Sequence, residues 1–164
     1  MHIRRLTISD AENFLALNKK LDDSGFMLHD PGERKMKTAE QRRALVKLND
    51  DASTIFYVAE ESGQLIGFIA AFRGKLNRNR HRASLVVGVD KAYRGKGIAT
   101  RLFQKIFGWA GDNNLLRLEL TVIENNVPAL KLYRKMGFKT EGEKVQSLKI
   151  NGKMVNELYM YKLL

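Results

Sequence analysis

The stretch Val87-Gly88-Val89-Asp90-Lys91-Ala92-Tyr93-Arg94-Gly95-Lys96-Gly97-Ile98-Ala99-Thr100 decides how this chain is read. A β-branched run enters a turn holding two glycines and passes directly into an amphipathic helix. Ile98, Leu102, Ile106 and Ala110 lie on one face of that helix, beside Phe103 and Phe107. Gly95 and Gly97 permit positive φ and a close ligand approach. The first-turn N–H groups of the helix lack an intrahelical partner and stand at the positive end of its dipole. Such a turn is an anion seat, with Arg94 and Lys96 adding charge. It also reads, more plainly, as a strand–helix turn needing glycine for steric reasons.

Other phosphate motifs fail on the residues. No G-x-x-x-x-G-K-[ST] string occurs, and a dinucleotide fingerprint would place Thr100 where Gly or Ala belongs.

Outward from this turn, the periodicity changes repeatedly. Residues 2–7 read as a strand, and Ser9 with Glu12 as a capping box opening a helix to about Leu21. Residues 24–37 read as a polar loop, and Thr38 with Gln41 as a second box starting a helix to about Leu48. Strands at 53–60 and 64–73 flank Glu61-Ser62-Gly63, and a basic loop precedes a strand at 81–89. After the helix from Ile98 to Gly111 come a strand at 115–123, a short helix over 127–136 ended by Gly137, and two strands flanking Asn151-Gly152. The order β-α-α-β-β-β-α-β-α-β-β contains one parallel βαβ crossover, 81–89 to 115–123. The fold class is therefore α/β (mixed α+β): a mixed, mostly antiparallel sheet with flanking helices, within a single domain spanning 1–164.

Composition bounds the function. The chain has 164 residues, no Cys, and a net charge of +11. A disulfide, a thiolate nucleophile and a Cys-ligated metal are thus excluded, and no metal site is expected. No apolar run has the roughly 18–20 residues of a membrane span, and the N-terminus lacks a signal-peptide core, so a cytoplasmic protein is expected. Residues 1–61 are net −1 and residues 112–164 net +3, whereas residues 62–111 are net +9. The excess belongs to the middle third, as a solvated face or a polyanion site.

The string Arg94-x-x-Gly97-x-Ala99 resembles the acetyl-CoA signature of the GNAT (GCN5-related N-acetyltransferase) superfamily, Q/R-x-x-G-x-G/A. Asn126-x-x-Ala129-x-x-Leu132-Tyr133-x-x-x-Gly137-Phe138 is similar to that family's second motif, at the expected distance and in the expected element order. The resemblance covers nearly the whole chain and implies a GNAT fold. It implies direct transfer of acetyl from acetyl-CoA, as cosubstrate, to a primary amine of a small molecule or a protein or peptide.

Carried over residue by residue, Arg94, Gly95, Lys96, Gly97, Ile98, Ala99 and Thr100 would hold the CoA pyrophosphate. Val87, Gly88 and Val89 would pair with the pantetheine arm, with a bulge at Gly88 parting the strands and Val89 N–H as oxyanion donor. Gly88 also reads as relief of packing against a helix. Tyr133 would protonate the departing thiolate or only pack against the cofactor; Asn126 would hydrogen-bond the CoA arm or cap the helix. Glu119, Glu124 and His81 are candidate bases, with Glu119 named as catalytic although it also reads as an ion-pair partner of Arg117. Loop 24–37, with His29, Asp30, Pro31, Gly32 and Glu33, resembles the variable acceptor loop. Two alternatives stay open: a non-catalytic CoA-binding module, and nucleic-acid or ribosome contacts through Arg73, Lys75, Arg78, Arg80 and Arg82. Only Phe72 offers an aromatic nearby, so nucleic acid is not an expected partner. A homodimer through the C-terminal hairpin edge is compatible with the residues.

Overall fold

A computed structural model describes all 164 residues. The elements are β1 (His2–Arg5), α1 (Ala11–Asp22), α2 (Thr38–Asp50), β2 (Thr54–Glu61), β3 (Gln64–Arg73), β4 (Arg82–Val89), α3 (Ile98–Asp112), β5 (Arg117–Ile123), α4 (Val127–Lys135), β6 (Lys139–Ile150) and β7 (Lys153–Leu163). The seven strands form one sheet in the order β1-β2-β3-β4-β5-β7-β6. Every neighbouring pair is antiparallel except β4 and β5.

Strand alternation sends side chains to two faces with different cover. On one face Leu85, Leu118, Leu120, Val122 and Met160 meet Leu102, Phe103 and Ile106 of α3 and Leu130 and Tyr133 of α4. On the other, Val58, Phe68 and Ala70 meet Phe14, Leu17 and Leu21 of α1 and Leu45 of α2. This second layer covers β1–β3 and reaches β4 only at Gly88. Over the rest of β4, β5 and β7 the same face stays open, leaving Val86 and Tyr159 exposed, with Phe72 exposed at the end of β3.

The helix starts differ from the sequence reading. The N-terminal capping box is Thr7 with Asp10, not Ser9 with Glu12. Asp10 Oδ2 accepts from the Thr7 backbone N–H at 2.8 Å. Asp10 is favoured because it also takes two hydrogen bonds from the Arg4 guanidinium, each 2.8 Å. That cation holds the Asp10 carboxyl below the usual carboxylate range. Thr38 is the first residue of α2 after an uncapped start at Lys37, and Gln41 turns inward and is buried. The two hairpin turns do follow the sequence: Ser62-Gly63 and Asn151-Gly152 all have positive φ.

The loop between α1 and α2 is tied down by one ion pair. Asp22 is buried at the end of α1, and Arg34 Nε donates to it at 2.7 Å from the loop's far end. Arg34 Nη2 also lies 3.3 Å from His29 Nδ1. An arginine only donates, so this contact makes Nδ1 the acceptor and leaves the proton of neutral His29 on Nε2. Replacing Arg34 with Met strands a buried carboxylate and is expected to cost about 3 kcal/mol. Urea unfolding of Arg34→Met checks this, with Asp22→Asn/Arg34→Met recovering part of the loss because no charge is left buried.

Candidate active site

β4 and β5 are paired over only three rungs, Arg82 with Arg117, Ala83 with Leu118 and Ser84 with Glu119. Beyond Ser84 they part, although β4 continues to Val89 and β5 to Ile123. The hydrogen bonds Gly74 N–H to Arg82 O and Asp90 N–H to Ile66 O set the phase of the β3–β4 ladder. Even-numbered residues of β4 bond to β3; the amides of Val87 and Val89 therefore point the other way, into the gap. No strand meets them there. The parted strands thus form a V whose β4 edge is an open row of donors and acceptors.

The wide end of the V leads into the glycine turn. Gly95 and Gly97 have φ of +76°, and a Cβ at either would meet no atom within 4 Å. Gly97 caps α3 without a side-chain hydrogen bond. No backbone N–H from Gly95 to Thr100 donates to a protein acceptor. These amides, at the positive end of a 15-residue helix, form a seat for a diphosphate. Arg94 donates from Nε to Val89 O at 3.1 Å, which holds its guanidinium at the mouth of the V. Lys96 stands over the Tyr93 ring at 5.1 Å.

Gly88 is not the bulge that the sequence suggested. The β3–β4 register runs unbroken through Phe68 and Gly88. What requires glycine is Leu21: a Cβ on Gly88 would lie 2.7 Å from Leu21 Cδ1. The strands part after Ser84 instead, four residues earlier. The same contact, with Lys20 at 3.5 Å from Asp90, sets the C-terminal end of α1 and its loop against the wide part of the V.

Tyr133 lies on α4 with its ring edge-on to Phe103 and beside Phe138, each 6.3 Å or less between centroids. Burial pushes its hydroxyl up to about 12. The hydroxyl bonds to no protein group, and its oxygen is not fully sealed from solvent. Asn126 caps α4, its Oδ1 accepting from Ala129 N–H at 3.4 Å, and its amide NH₂ donates to no protein group.

Glu119 sits on the last rung, held between two cations. Arg82 Nη1 lies 3.0 and 3.2 Å from its two oxygens, and Arg117 Nε lies 3.0 Å from Oε2. Ser84 Oγ donates to it at 3.3 Å, and Arg117 continues to Glu141 on β6. Burial raises the Glu119 carboxyl, but the two guanidinium groups outweigh it and hold the group below the usual carboxylate range. A carboxylate so held is a weak base. The pairing with Arg117 was legible two residues apart on one strand; Arg82 was not, because it reaches Glu119 across the parallel pair. The other two base candidates fare no better. His81 is exposed at the opposite end of β4 from the glycine turn, and exposed Glu124 meets Asn156 Nδ2 at 3.4 Å.

The basic loop also lies at that opposite end, about 25 Å from the glycine turn along an eight-residue strand. It cannot face the nucleotide end of a ligand seated there. Lys75 pairs with Asp51, Arg73 Nε donates to Arg80 O, and Arg82 pairs with Glu119. Arg78 and Arg80 have no acidic partner.

Comparison with known proteins decides what this V and turn belong to. The model of the acetyltransferase (GNAT) family matches residues 20–138.

The chain belongs to the GNAT family. Spermidine N(1)-acetyltransferase of Escherichia coli (strain K12) is 32% identical over 129 residues, covering 74% of this chain and 68% of that protein. An L-amino acid N-acetyltransferase of the same organism is 32% identical over 108 residues, covering 65% of this chain and 66% of that one. An acetyltransferase of the GNAT family from Streptococcus pneumoniae shares the fold over 99% of both chains, with a TM-score of 0.92 and 26% identity. The GNAT fold expected from the motifs is the fold found. The chain is accordingly an acetyl-CoA-dependent N-acetyltransferase that uses an amine acceptor. No helix is long and apolar enough to cross a membrane.

Proposed function

We propose that residues 1–164 form one catalytic domain, acting in the cytoplasm, that moves acetyl directly from acetyl-CoA to a primary amine. The parting of β4 from β5 after Ser84, with unpartnered amides leading to the open glycine turn, carries this reading. The N–H groups from Gly95 to Thr100 hold the pyrophosphate, with Arg94 and Lys96 neutralising it. The pantetheine arm pairs along Val87, Gly88 and Val89, and the free NH₂ of Asn126 bonds it from the β5 side. The thioester then lies near the apex, between the α3/α4 side and the open sheet face.

The neutral amine nitrogen attacks the thioester carbonyl from the open face. Val89 N–H, expected from the sequence as the oxyanion donor, lies five residues and about 16 Å up β4 from the Ser84 apex, so Val87 N–H, the gap-facing amide nearer the apex, takes that role. As the C–S bond breaks, the thiolate takes the Tyr133 proton. The nitrogen sheds its own proton to water, and a proton from solvent restores the Tyr133 hydroxyl. Burial keeps Tyr133 protonated across the physiological range, so the donor form is always present; the same shift makes it the weaker acid, and its proton moves only as charge develops on the departing sulfur. Direct transfer predicts intersecting initial-rate patterns when acetyl-CoA and amine are varied together. Parallel lines, the sign of an acetyl-enzyme, would overturn it.

Glu119 is read as a strut that closes the apex, not as the base. Glu119→Gln is expected to lower kcat less than about tenfold and to leave its acid limb in place. A hundredfold loss, with that limb abolished, would return Glu119 to the chemistry.

A further inference from the structure

The open sheet face continues below the apex into a cavity of about 130 Å³ that the acyl donor does not occupy in this reading. Its floor is the last β4–β5 rung, Ser84 and Glu119. Phe72 and Arg82 form its sides, and Arg73 with Asn79 closes it from the β3–β4 hairpin. Phe72 faces Ser84 across the β3–β4 ladder, so ring, hydroxyl and carboxylate form a single row. One rung further on, Val86 and Thr121 stand on the same face, on strands that have already parted.

The charge in this cavity is unbalanced. Glu119 is its one acid and is already shared by Arg82 and Arg117. Arg82 uses only Nη1 and Arg73 only Nε, so Nη2 of the first and both Nη groups of the second bond to nothing in the protein. Asn79 spends its Oδ1 on Leu76 N–H, which leaves its NH₂ as a further donor. The site offers guanidinium and amide donors, and the oxygen of Ser84, whose hydroxyl donates to Glu119, is its one free side-chain acceptor. That donor set fits a carboxylate, which an arginine fork can bind with two parallel hydrogen bonds. A second ammonium there would face two guanidinium groups.

Resting on the acetyltransferase reading, we infer that the acceptor is an amino-carboxylic acid, its amine over the gap beside Val86 and Thr121 and its carboxylate against Arg73 and Arg82. The cavity takes a carboxylate and a few carbons, so the amine and acid groups are close together, as in an amino acid. A polyamine is excluded by charge, which separates this chain's specificity from that named for its spermidine-acetylating relative.

The test compares the twenty L-amino acids, each against its own carboxamide, and spermidine, with CoA release as the readout. The carboxamide keeps the shape and removes the charge; its amine is the less basic, which biases the comparison against the inference. For the best acceptor, kcat/KM is expected to favour the acid over its amide by at least about tenfold. Arg73→Gln should bring that ratio below about threefold through acceptor KM, and Arg82→Lys should lower it while keeping the Glu119 pair. Both variants should keep their thermal stabilisation by acetyl-CoA. Preference for an amide or for spermidine overturns the inference, as does discrimination that survives in both variants. So does the absence of turnover with every amino acid in a protein that acetyl-CoA stabilises. If acetyl-CoA does not stabilise the wild-type protein, the acetyltransferase reading itself fails instead.

Discussion

Tyr133→Phe loses about a hundred- to a thousandfold in kcat while its KM for acetyl-CoA changes less than about threefold. The ring is the part that packs, against Phe103 and Phe138, and phenylalanine keeps it. Only the hydroxyl disappears, and that group has no protein hydrogen bond to lose. A fall in kcat therefore reports proton donation, for which general acid catalysis contributes about 10²–10⁴-fold. Two further readouts separate this from a structural effect. Melting temperature should hold or rise slightly, because a buried hydroxyl is replaced by hydrogen. An acetyl thioester donor whose thiol is more acidic than that of CoA should narrow the gap between variant and wild type, because its thiolate needs less help in leaving. In the wild type, no alkaline loss of kcat from Tyr133 is expected until pH nears 12, since burial displaces its titration upward from the ordinary value near 10.

The second large effect is on acetyl-CoA binding. Gly97→Val should raise KM for acetyl-CoA by about tenfold to a hundredfold. At φ of +76° a branched side chain costs about 1–2 kcal/mol, and the backbone relieves this by rotating the very amides that form the seat. No protein atom lies near the new Cβ, so collision within the fold is not the cause. Gly63→Val supplies the control. Gly63 has φ of +75° and equally open surroundings, but it lies in the β2–β3 hairpin. It should lose comparable stability with acetyl-CoA KM unchanged.

The architecture was legible because its signals are local. Period-two runs, the helix face through Ile98, Leu102 and Ile106, and the Ser62-Gly63 and Asn151-Gly152 turns each fix an element from its own residues. The glycine turn was legible for the same reason, since positive φ and open N–H groups belong to a few consecutive positions. What the sequence hid depends on partners far along the chain. Gly88 looked like a bulge because the residue it makes room for, Leu21, lies on another element. Glu119 read either as a base or as a partner of Arg117; its second cation, Arg82, was hidden because it reaches Glu119 across the parallel pair. The Asp22–Arg34 tie and the cavity under Arg73 arise only from packing. Capping erred by two residues because Arg4, on β1, decides which acid holds the helix start.

The charge concentrated in residues 62–111 now divides between two ends of one strand. Arg94 and Lys96 flank the glycine turn at the end of β4. Arg73 and Arg82 stand at the other end, beside the apex.

The most direct test is an amide-resolved NMR titration with acetyl-CoA. The largest shifts are expected on Gly95 to Thr100 and on Val87 and Val89, with residues 74–81 unmoved. Shifts centred on residues 74–81, with the glycine turn unchanged, would contradict it.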